Sequence, residues 1–244
     1  MILKVYCQAV EDIGNHGSSG DLFVYHGLAE SFSNKLPVLY EYLSEHEKSR
    51  ADRFKHESDY RCYVAVHALL RIELSKLLNT KPRFIKMGES EFGKPFIQGV
   101  DLPFSLSRTG NLFAFVVGHS NQLLGIDIEQ IKPKIDFINI SRNYFSIKEQ
   151  QLIISFKDAD DQKRTFFEMW TRKEALVKAL GIGINTDLRK IEVLEGGNIL
   201  NFAGVQITNH LFKITTTLKK EALISIASSV NFIPVFKNLS FVLS

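Results

Sequence analysis

Cysteine is nearly missing from this chain. Cys7 and Cys62 are the only two in 244 residues, and neither sits in a metal-binding or redox spacing. A disulfide framework, a zinc centre and a dithiol active site therefore lose their support, and both thiols read as reduced side chains of a cytoplasmic protein. Long hydrophobic runs are lacking too: no stretch approaches the apolar length that spans a bilayer. The opening MILKVYCQAV is apolar but short, without a basic lead or a small-residue cleavage site, so it reads as a first β-strand and not a signal peptide. Charge of one sign is scarce as well. A net +3 suits an anionic ligand or an acidic partner, but with no basic tract and no aromatic-basic stripe, nucleic acid is not an expected partner. The chain has no GxxxxGK[ST], GxGxxG or GxSxG, which removes the main support for an NTPase, a dinucleotide oxidoreductase or a common hydrolase. Its seven histidines are scattered without ligand spacing.

What remains is an ordinary globular composition, 45% hydrophobic and 23% charged, long enough for one large domain or two modest ones. After the first strand, Gly14 to Gly20 reads as a loop or hairpin. Ser44 and Glu47 have capping-box spacing and open a short helix through Arg53 and Phe54. Asp59 precedes an apolar-rich run, Tyr60 to Leu78, that ends at Asn79-Thr80-Lys81-Pro82 and reads as a buried helix. Short strand-like pieces follow: RFIKMG, KPFI, PFSLS, NLFAFVVG and LLGIDIE, with a turn at Thr109-Gly110 or Gly110-Asn111. The second half repeats the order, with helix over Ile140 to Phe156 and Gln162 to Leu180, then strands KIEVLEG, NILNFAG, HLFKITTTLK and ALISIASS. Two passes of helix then antiparallel strand predict an α+β fold of two similar, pseudo-symmetric lobes, each a helix on a small, largely antiparallel sheet. The join is expected in His119-Ser120-Asn121-Gln122, giving lobes 1–119 and 120–244 with the active site in the cleft between them.

Two segments carry chemistry. In LLGIDIEQI, Gly125, Asp127 and Glu129 alternate along a strand and share one face, while Ile126 and Ile128 face a core. Two carboxylates that close raise each other's pKa unless a cation intervenes, and Gly125 is expected to keep their face open. In MWTRKEALVKALG, Glu174 and Lys178 stand four apart on one helix face, with Trp170 and Thr171 a turn earlier. A plain surface pair of that kind is worth roughly 0.2–0.5 kcal/mol. Trp170, Phe166 and Phe167 need burial, which argues against a wholly exposed helix. Gly181 and Gly183 end that helix. Three oxygen donors without histidine or cysteine, namely Asp127, Glu129 and Glu174, favour Mg²⁺, or Mn²⁺, over zinc. Magnesium commonly bridges to substrate phosphates, whose remaining charge Arg50, Arg53, Arg61, Lys94 and Arg108 could meet.

GIDIE followed by WTRKEALVKALG resembles the 4′-phosphopantetheinyl transferases, with G-[IV]-D, a gap of about forty residues, then [FW]-x-x-K-E-x-x-x-K. The matching residues are Gly125-Ile126-Asp127 and Trp170 through Lys178. EFGKPFI around Lys94, FSLSR at Ser107, the early helical region with Arg50, Arg53 and Arg61, and Phe145-Ser146 with Glu149 extend the likeness from about residue 40 to 185. Chain length is similar to the larger, surfactin-type members, which resemble two fused copies of the small holo-acyl-carrier-protein synthase.

This resemblance implies transfer of 4′-phosphopantetheine from coenzyme A to a serine of an apo acyl or peptidyl carrier protein, dependent on Mg²⁺, with 3′,5′-ADP leaving. It implies Asp127, Glu129 and Glu174 as metal ligands, and Asp127, Glu174 and Lys178 as catalytic. Lys178 and Lys173 would contact phosphate oxygens, with Lys94, Ser107 and Arg108 near the adenosine end and Arg53 and Arg61 at the 3′-phosphate. The general base would be Glu174 or a metal-bound hydroxide, with Glu149 a further candidate. One departure stands out. Ser105 takes the place of the family's usual Asn, and Ser107-Arg108 stand where the family usually has Ser-His. A second reading keeps the coenzyme A cleft but has lost turnover; a third is an unrelated metal-dependent nucleotide enzyme. A cytoplasmic monomer with no membrane partner is expected.

Overall fold

The computed structural model describes residues 7–8, 21–132, 134–183, 187–194 and 212–239. The fold is mixed α+β, with ten strands and six α-helices among the described residues. The chain separates into two compact units. One is Met1–Gly88, Pro95–Ser120 and Phe232–Ser244; the other is Glu89–Lys94 and Asn121–Asn231. The amino-terminal strand beyond Cys7–Gln8, the Gly14–Gly20 loop and NILNFAG lie outside the described residues.

In the first unit the sheet runs in the order β1 (Cys7–Gln8), β10 (Ile233–Leu239), β2 (Asp21–Leu28), β6 (Leu112–Val117), β5 (Phe104–Thr109). Every pair is antiparallel except β10 on β2, where Ile233 registers with Asp21 and Leu239 with Gly27. Neither β2 nor β10 was expected from sequence pattern, because Pro234 and Gly27 interrupt their alternation. The hairpin between β5 and β6 turns at Gly110, whose φ of +54° is costly for any residue with a Cβ.

Ser44 and Glu47 do form a reciprocal capping box that opens α2 (Glu45–Ala51). The next helix, α3 (Glu57–Leu78), starts two residues before Asp59 and stops at Asn79, which takes a left-handed conformation. Between Cys62 and Leu74 it is buried almost all round, packing with Phe32, Leu39, Leu43, Phe104 and Phe115. Within that core lies Arg71. Its Nε donates to Glu47 Oε2 at 2.5 Å, and Nη1 donates to the carbonyls of Pro82 and Ile85 at 2.7 and 3.1 Å. Burial alone would raise the Glu47 carboxyl; the His67 hydrogen bond and the Arg71 charge overcome that and hold it at about 2.

In the second unit a three-stranded antiparallel sheet runs β7 (Leu124–Gln130), β9 (Ala222–Ser228), β8 (Lys213–Lys219). The expected helix over 140–156 is two helices, α4 (Phe137–Tyr144) and α5 (Ile147–Ser155). Ser146 ends one and caps the other through a second capping box with Glu149. A long helix, α6 (Ala159–Leu180), lies on the sheet. Asp158 caps its start by accepting from the amides of Asp160 and Asp161, and Gly181, at φ +69°, closes its end. Its own Phe166 and Phe167 are buried with Phe145, and Trp170 packs against Phe166 at 6.2 Å and Tyr144 at 5.5 Å. KIEVLEG is not a strand as far as it is described: Leu188–Lys190 form a 3₁₀ turn and residues 191–194 are irregular.

Gly125 decides how closely α6 approaches β7. A Cβ there would meet the Ala175 carbonyl oxygen at 2.0 Å and the Ala179 amide nitrogen at 2.4 Å, both backbone atoms that cannot rotate aside. The face expected to stay open at Gly125 is instead filled by the helix backbone. Gly125→Ala should lower stability by about 3 kcal/mol, through overpacking with no soft neighbour. Gly110→Ala, where a Cβ has open space, should lower it by only about 1 kcal/mol. Urea unfolding of the two variants checks the contrast.

Candidate active site

Strand alternation sends Gly125, Asp127 and Glu129 toward α6, in register with Ala227, Ser225 and Leu223 of β9. Helix periodicity sends Thr171, Glu174, Lys178 and the backbone of Ala175 and Ala179 down to meet them. Lys178 Nζ donates to Asp127 Oδ1 at 2.7 Å. Asp127 is only 4% exposed and Glu174 8%, while Glu129 and Lys178 are half-buried. Burial first, then the nearby Asp127 charge, pushes the Glu174 carboxyl up to about 7; Lys178 opposes this and Glu129 adds to it. The two segments thus converge electrostatically, with Asp127, Glu129, Glu174 and Lys178 all felt at one carboxyl.

A neighbouring polar row fixes the helix on the sheet. Thr171 Oγ1 bonds Ser225 Oγ at 2.8 Å and the Phe167 carbonyl at 3.0 Å; Ser225 Oγ continues to Thr216 Oγ1 at 2.9 Å. Thr216 Oγ1 in turn accepts from Arg172 Nε at 2.9 Å. Sequence reading missed this row, whose only signal is Thr and Ser at matching positions of facing strands.

The carboxylates suit a hard divalent ion chemically: all donors are oxygens, and Glu174 carries a like-charge penalty that a cation relieves. They are not gathered as a finished metal site. Among the described residues no group of three or more Asp, Glu, His or Cys side chains is arranged to hold an ion. For an ion to take Asp127 Oδ1, the ammonium of Lys178 must give up its contact.

Three other expected site residues lie elsewhere. Lys173 is wholly buried; its Nζ pairs with Glu149 Oε2 at 2.8 Å, donates to the carbonyls of Leu188 and Ile191, and sits 5.3 Å over the Phe145 ring. It is an internal tie, turned away from the acids. Glu149 is equally buried and also accepts from the amides of Ser146 and Val193, so both of its oxygens are engaged. Lys94 donates to the carbonyls of Leu124 at 3.2 Å and Ala179 at 2.7 Å, covering the carboxyl end of α6, and burial brings its pKa down to about 8.

The remaining cations belong to the first unit. Arg108 on β5 lies over the Phe54 ring at 5.6 Å, and its Nη1 is 3.6 Å from Asp59 Oδ1. Phe54 meets Tyr63 at 5.2 Å, and Arg50 lies over Tyr63 at 5.7 Å. Arg61 Nε donates to Glu57 at 2.9 Å. Arg53 is exposed just past α2, and Ser107 is buried in register with Ala114. Arg50, Arg108, Phe54 and Tyr63 form one basic-aromatic cluster.

An acidic strand clamped under a helix that carries Glu and Lys one turn apart gathers two carboxylates and an ammonium at one helix–strand contact. Comparison with known proteins makes this specific. A family model, the 4′-phosphopantetheinyl transferase superfamily, matches residues 123–227. The 4′-phosphopantetheinyl transferase HetI of Nostoc sp. is 34% identical over 164 residues, which cover 66% of this chain and 68% of that protein. A phosphopantetheinyl transferase of Thraustochytrium sp. is 28% identical over 202 residues, covering 76% and 69%. The 4′-phosphopantetheinyl transferase Sfp of Bacillus subtilis is 28% identical over 153 residues, covering 62% and 66%. Each match spans about two thirds of the relative's length. The chain belongs to the 4′-phosphopantetheinyl transferase superfamily, and so to a class of transferase enzymes.

The raised Glu174 carboxyl has a consequence for stability. Between its ordinary value of 4.5 and about 7, the folded chain binds more protons than the unfolded one. The fold therefore loses stability as pH climbs through that window and carries the whole penalty above it. In chelator at pH 8, Glu174→Gln should be more stable than wild type by on the order of 2 kcal/mol, and at pH 4 the two should match. Added Mg²⁺ should raise the unfolding temperature of wild type more than that of the variant.

Proposed function

We propose that the chain transfers the 4′-phosphopantetheine group of coenzyme A to a serine of an apo acyl or peptidyl carrier protein. The serine oxygen bonds to the phosphorus next to pantetheine while its proton passes to a general base, for which Glu174 is the candidate; the bond from that phosphorus to the bridging oxygen breaks, and 3′,5′-ADP leaves. The observation that carries the reading is the convergence of Asp127, Glu174 and Lys178 on one helix–strand contact. Names of the relatives support it.

Asp127, Glu129 and Glu174 would hold Mg²⁺, or Mn²⁺, which when bound neutralises the pyrophosphate and stabilises charge on the departing phosphate. Lys178, half-buried and already matched to a carboxylate, would turn its ammonium to a phosphate oxygen. Burial strengthens that contact over its worth in water. The β7–α6 contact keeps these groups in fixed register, so little reorganisation accompanies reaction. Arg108, with Arg50 of the same basic-aromatic cluster and with Arg53 and Arg61, would receive the 3′-phosphate. An arginine there binds phosphate bidentately and stays charged across the working pH range, where a histidine would not. Among the described residues no helix is long and apolar enough to cross a membrane. We place the enzyme in the cytoplasm as a monomer that meets its carrier there.

Incubation with coenzyme A, Mg²⁺ and an apo carrier domain should add one phosphopantetheine per carrier by intact-protein mass spectrometry. Asp127→Asn should fold normally yet transfer about a hundredfold more slowly; transfer at the wild-type rate would remove Asp127 from the mechanism. Coenzyme A should be turned over faster than its 3′-dephospho form, and equal rates would refute a 3′-phosphate role for Arg108. Binding of coenzyme A without any transfer would instead support the reading of a protein that keeps the ligand and has lost the reaction.

A further inference from the structure

The first turn of α3 supplies an internal carboxylate to each of two arginines assigned to phosphate. Arg61 Nε donates to Glu57 at 2.9 Å, and Arg108 Nη1 stands 3.6 Å from Asp59 Oδ1. The second contact is longer than a good hydrogen bond, and both side chains are partly exposed, 34% for Arg108 and 46% for Asp59. A pair of this kind is weak and is readily exchanged. Arg108 does not depend on it for position. The Phe54 ring lies under the guanidinium, 5.6 Å from its centre, so the head group keeps a packing contact when its anion changes. Nor does Asp59 depend on Arg108. It sits in the first turn of a helix, where the exposed amides and the helix dipole favour a negative charge.

We propose that Asp59 is a competing anion that occupies Arg108 in the free enzyme, yields to the 3′-phosphate of the ligand, and returns as 3′,5′-ADP departs, so that it promotes product release. This rests on the reading of Arg108 as the 3′-phosphate ligand. A phosphomonoester carries close to two negative charges and three acceptor oxygens, and displaces a single carboxylate from a guanidinium fork. The same carboxylate is a neighbour waiting to recapture Arg108 each time the phosphate loosens. Its presence lowers affinity for every ligand that carries the 3′-phosphate and leaves ligands without it untouched. Product inhibition is the property it governs most directly, because 3′,5′-ADP keeps the 3′-phosphate through turnover.

The test is a cycle of Asp59→Asn, Arg108→Gln and the double variant, each checked for folding by circular dichroism. Affinity for 3′,5′-ADP and for 5′-AMP is measured by calorimetry at low salt. Asp59→Asn should bind 3′,5′-ADP about threefold to fivefold tighter, as expected of a half-exposed competing pair. It should bind 5′-AMP as wild type does. Arg108→Gln should weaken 3′,5′-ADP about tenfold, and adding Asp59→Asn to it should change nothing further. No tightening in Asp59→Asn overturns the proposal. Equal tightening in the Arg108→Gln background also overturns it, since the effect would then be a long-range field and not exchange at one guanidinium. Unaltered 3′,5′-ADP binding by Arg108→Gln alone overturns the underlying assignment of Arg108, which separates that failure from the failure of Asp59.

Discussion

The contact on which the second unit depends is between a strand with no side chain at Gly125 and the bare backbone of α6 at Ala175 and Ala179. Small residues on both elements let the helix axis come unusually near the strand. Asp127, two residues along the same face, is thereby carried under Lys178, whose ammonium reaches it at 2.7 Å. A larger residue at 125 would lift the helix and lengthen every contact that follows. The proximity that joins lysine to aspartate also removes water, and that is why the Glu174 carboxyl is pushed up to about 7 although a lysine stands one turn away. One steric fact therefore sets both the geometry and the electrostatics.

Such a helix needs its rotation and height held as well as its distance. Rotation is held by Thr171, Ser225 and Thr216, a hydroxyl row, buried at Thr171 and Ser225, in which each oxygen finds a partner. The far side is held by Lys173 and Glu149. A fully buried ion pair is a poor source of net stability, because desolvating both charges consumes most of what their attraction returns. Its geometry is specific, however. Lys173 meets a carboxylate, two carbonyls and a ring at once, and Glu149 meets a lysine and two amides. Only one setting of α6 against α5 and residues 188–193 satisfies all of them. Glu174 follows Lys173 directly, so the tie that settles one residue also settles the next, on the helix face turned toward β7.

Much of this was legible in the residues. Ser44, Asn79, Gly110 and Gly181 mark ends and turns by local chemistry that needs no tertiary context. Asp127, Glu129, Glu174 and Lys178 were found because alternation and helical spacing fix which side chains share a face. What was not legible depends on long-range pairing. The parallel partnership of β2 and β10 joins distant parts of the chain and has no local signature. At Gly125 a sequence shows the missing side chain but not the helix that fills its place. The resemblance places Lys173 and Lys94 at coenzyme A and Glu149 as a candidate base, but a motif gives residue type and not depth. The pairing of Lys173 with Glu149, and of Lys94 with two carbonyls, appears only in the packing. The Phe145-Ser146-x-x-Glu149 pattern was seen, but its helix-capping role appears only once α4 and α5 are two helices.

The two units share an electrostatic habit. In the second, a cationic side chain, Lys178, rests on Asp127, an acid assigned to a metal; in the first, an acidic side chain, Asp59, stands by Arg108, a base assigned to a phosphate. On the proposed reading, Asp127 and Arg108 each have an internal substitute of the sign the ligand would bring. Leaving such groups bare would favour neutralisation, as Glu174 shows, its carboxyl raised first by burial and then by the Asp127 charge. Matching them too well would bury the pair beyond exchange, which is the state of Lys173 and Glu149. Exposure separates the two outcomes. Lys178 and Arg108 remain about a third exposed, near enough to water to leave one partner for another, whereas the buried pair is wholly enclosed. On the proposed reading, charges that must trade partners during turnover sit at the surface end of their contacts, and charges that must not are sealed in the core.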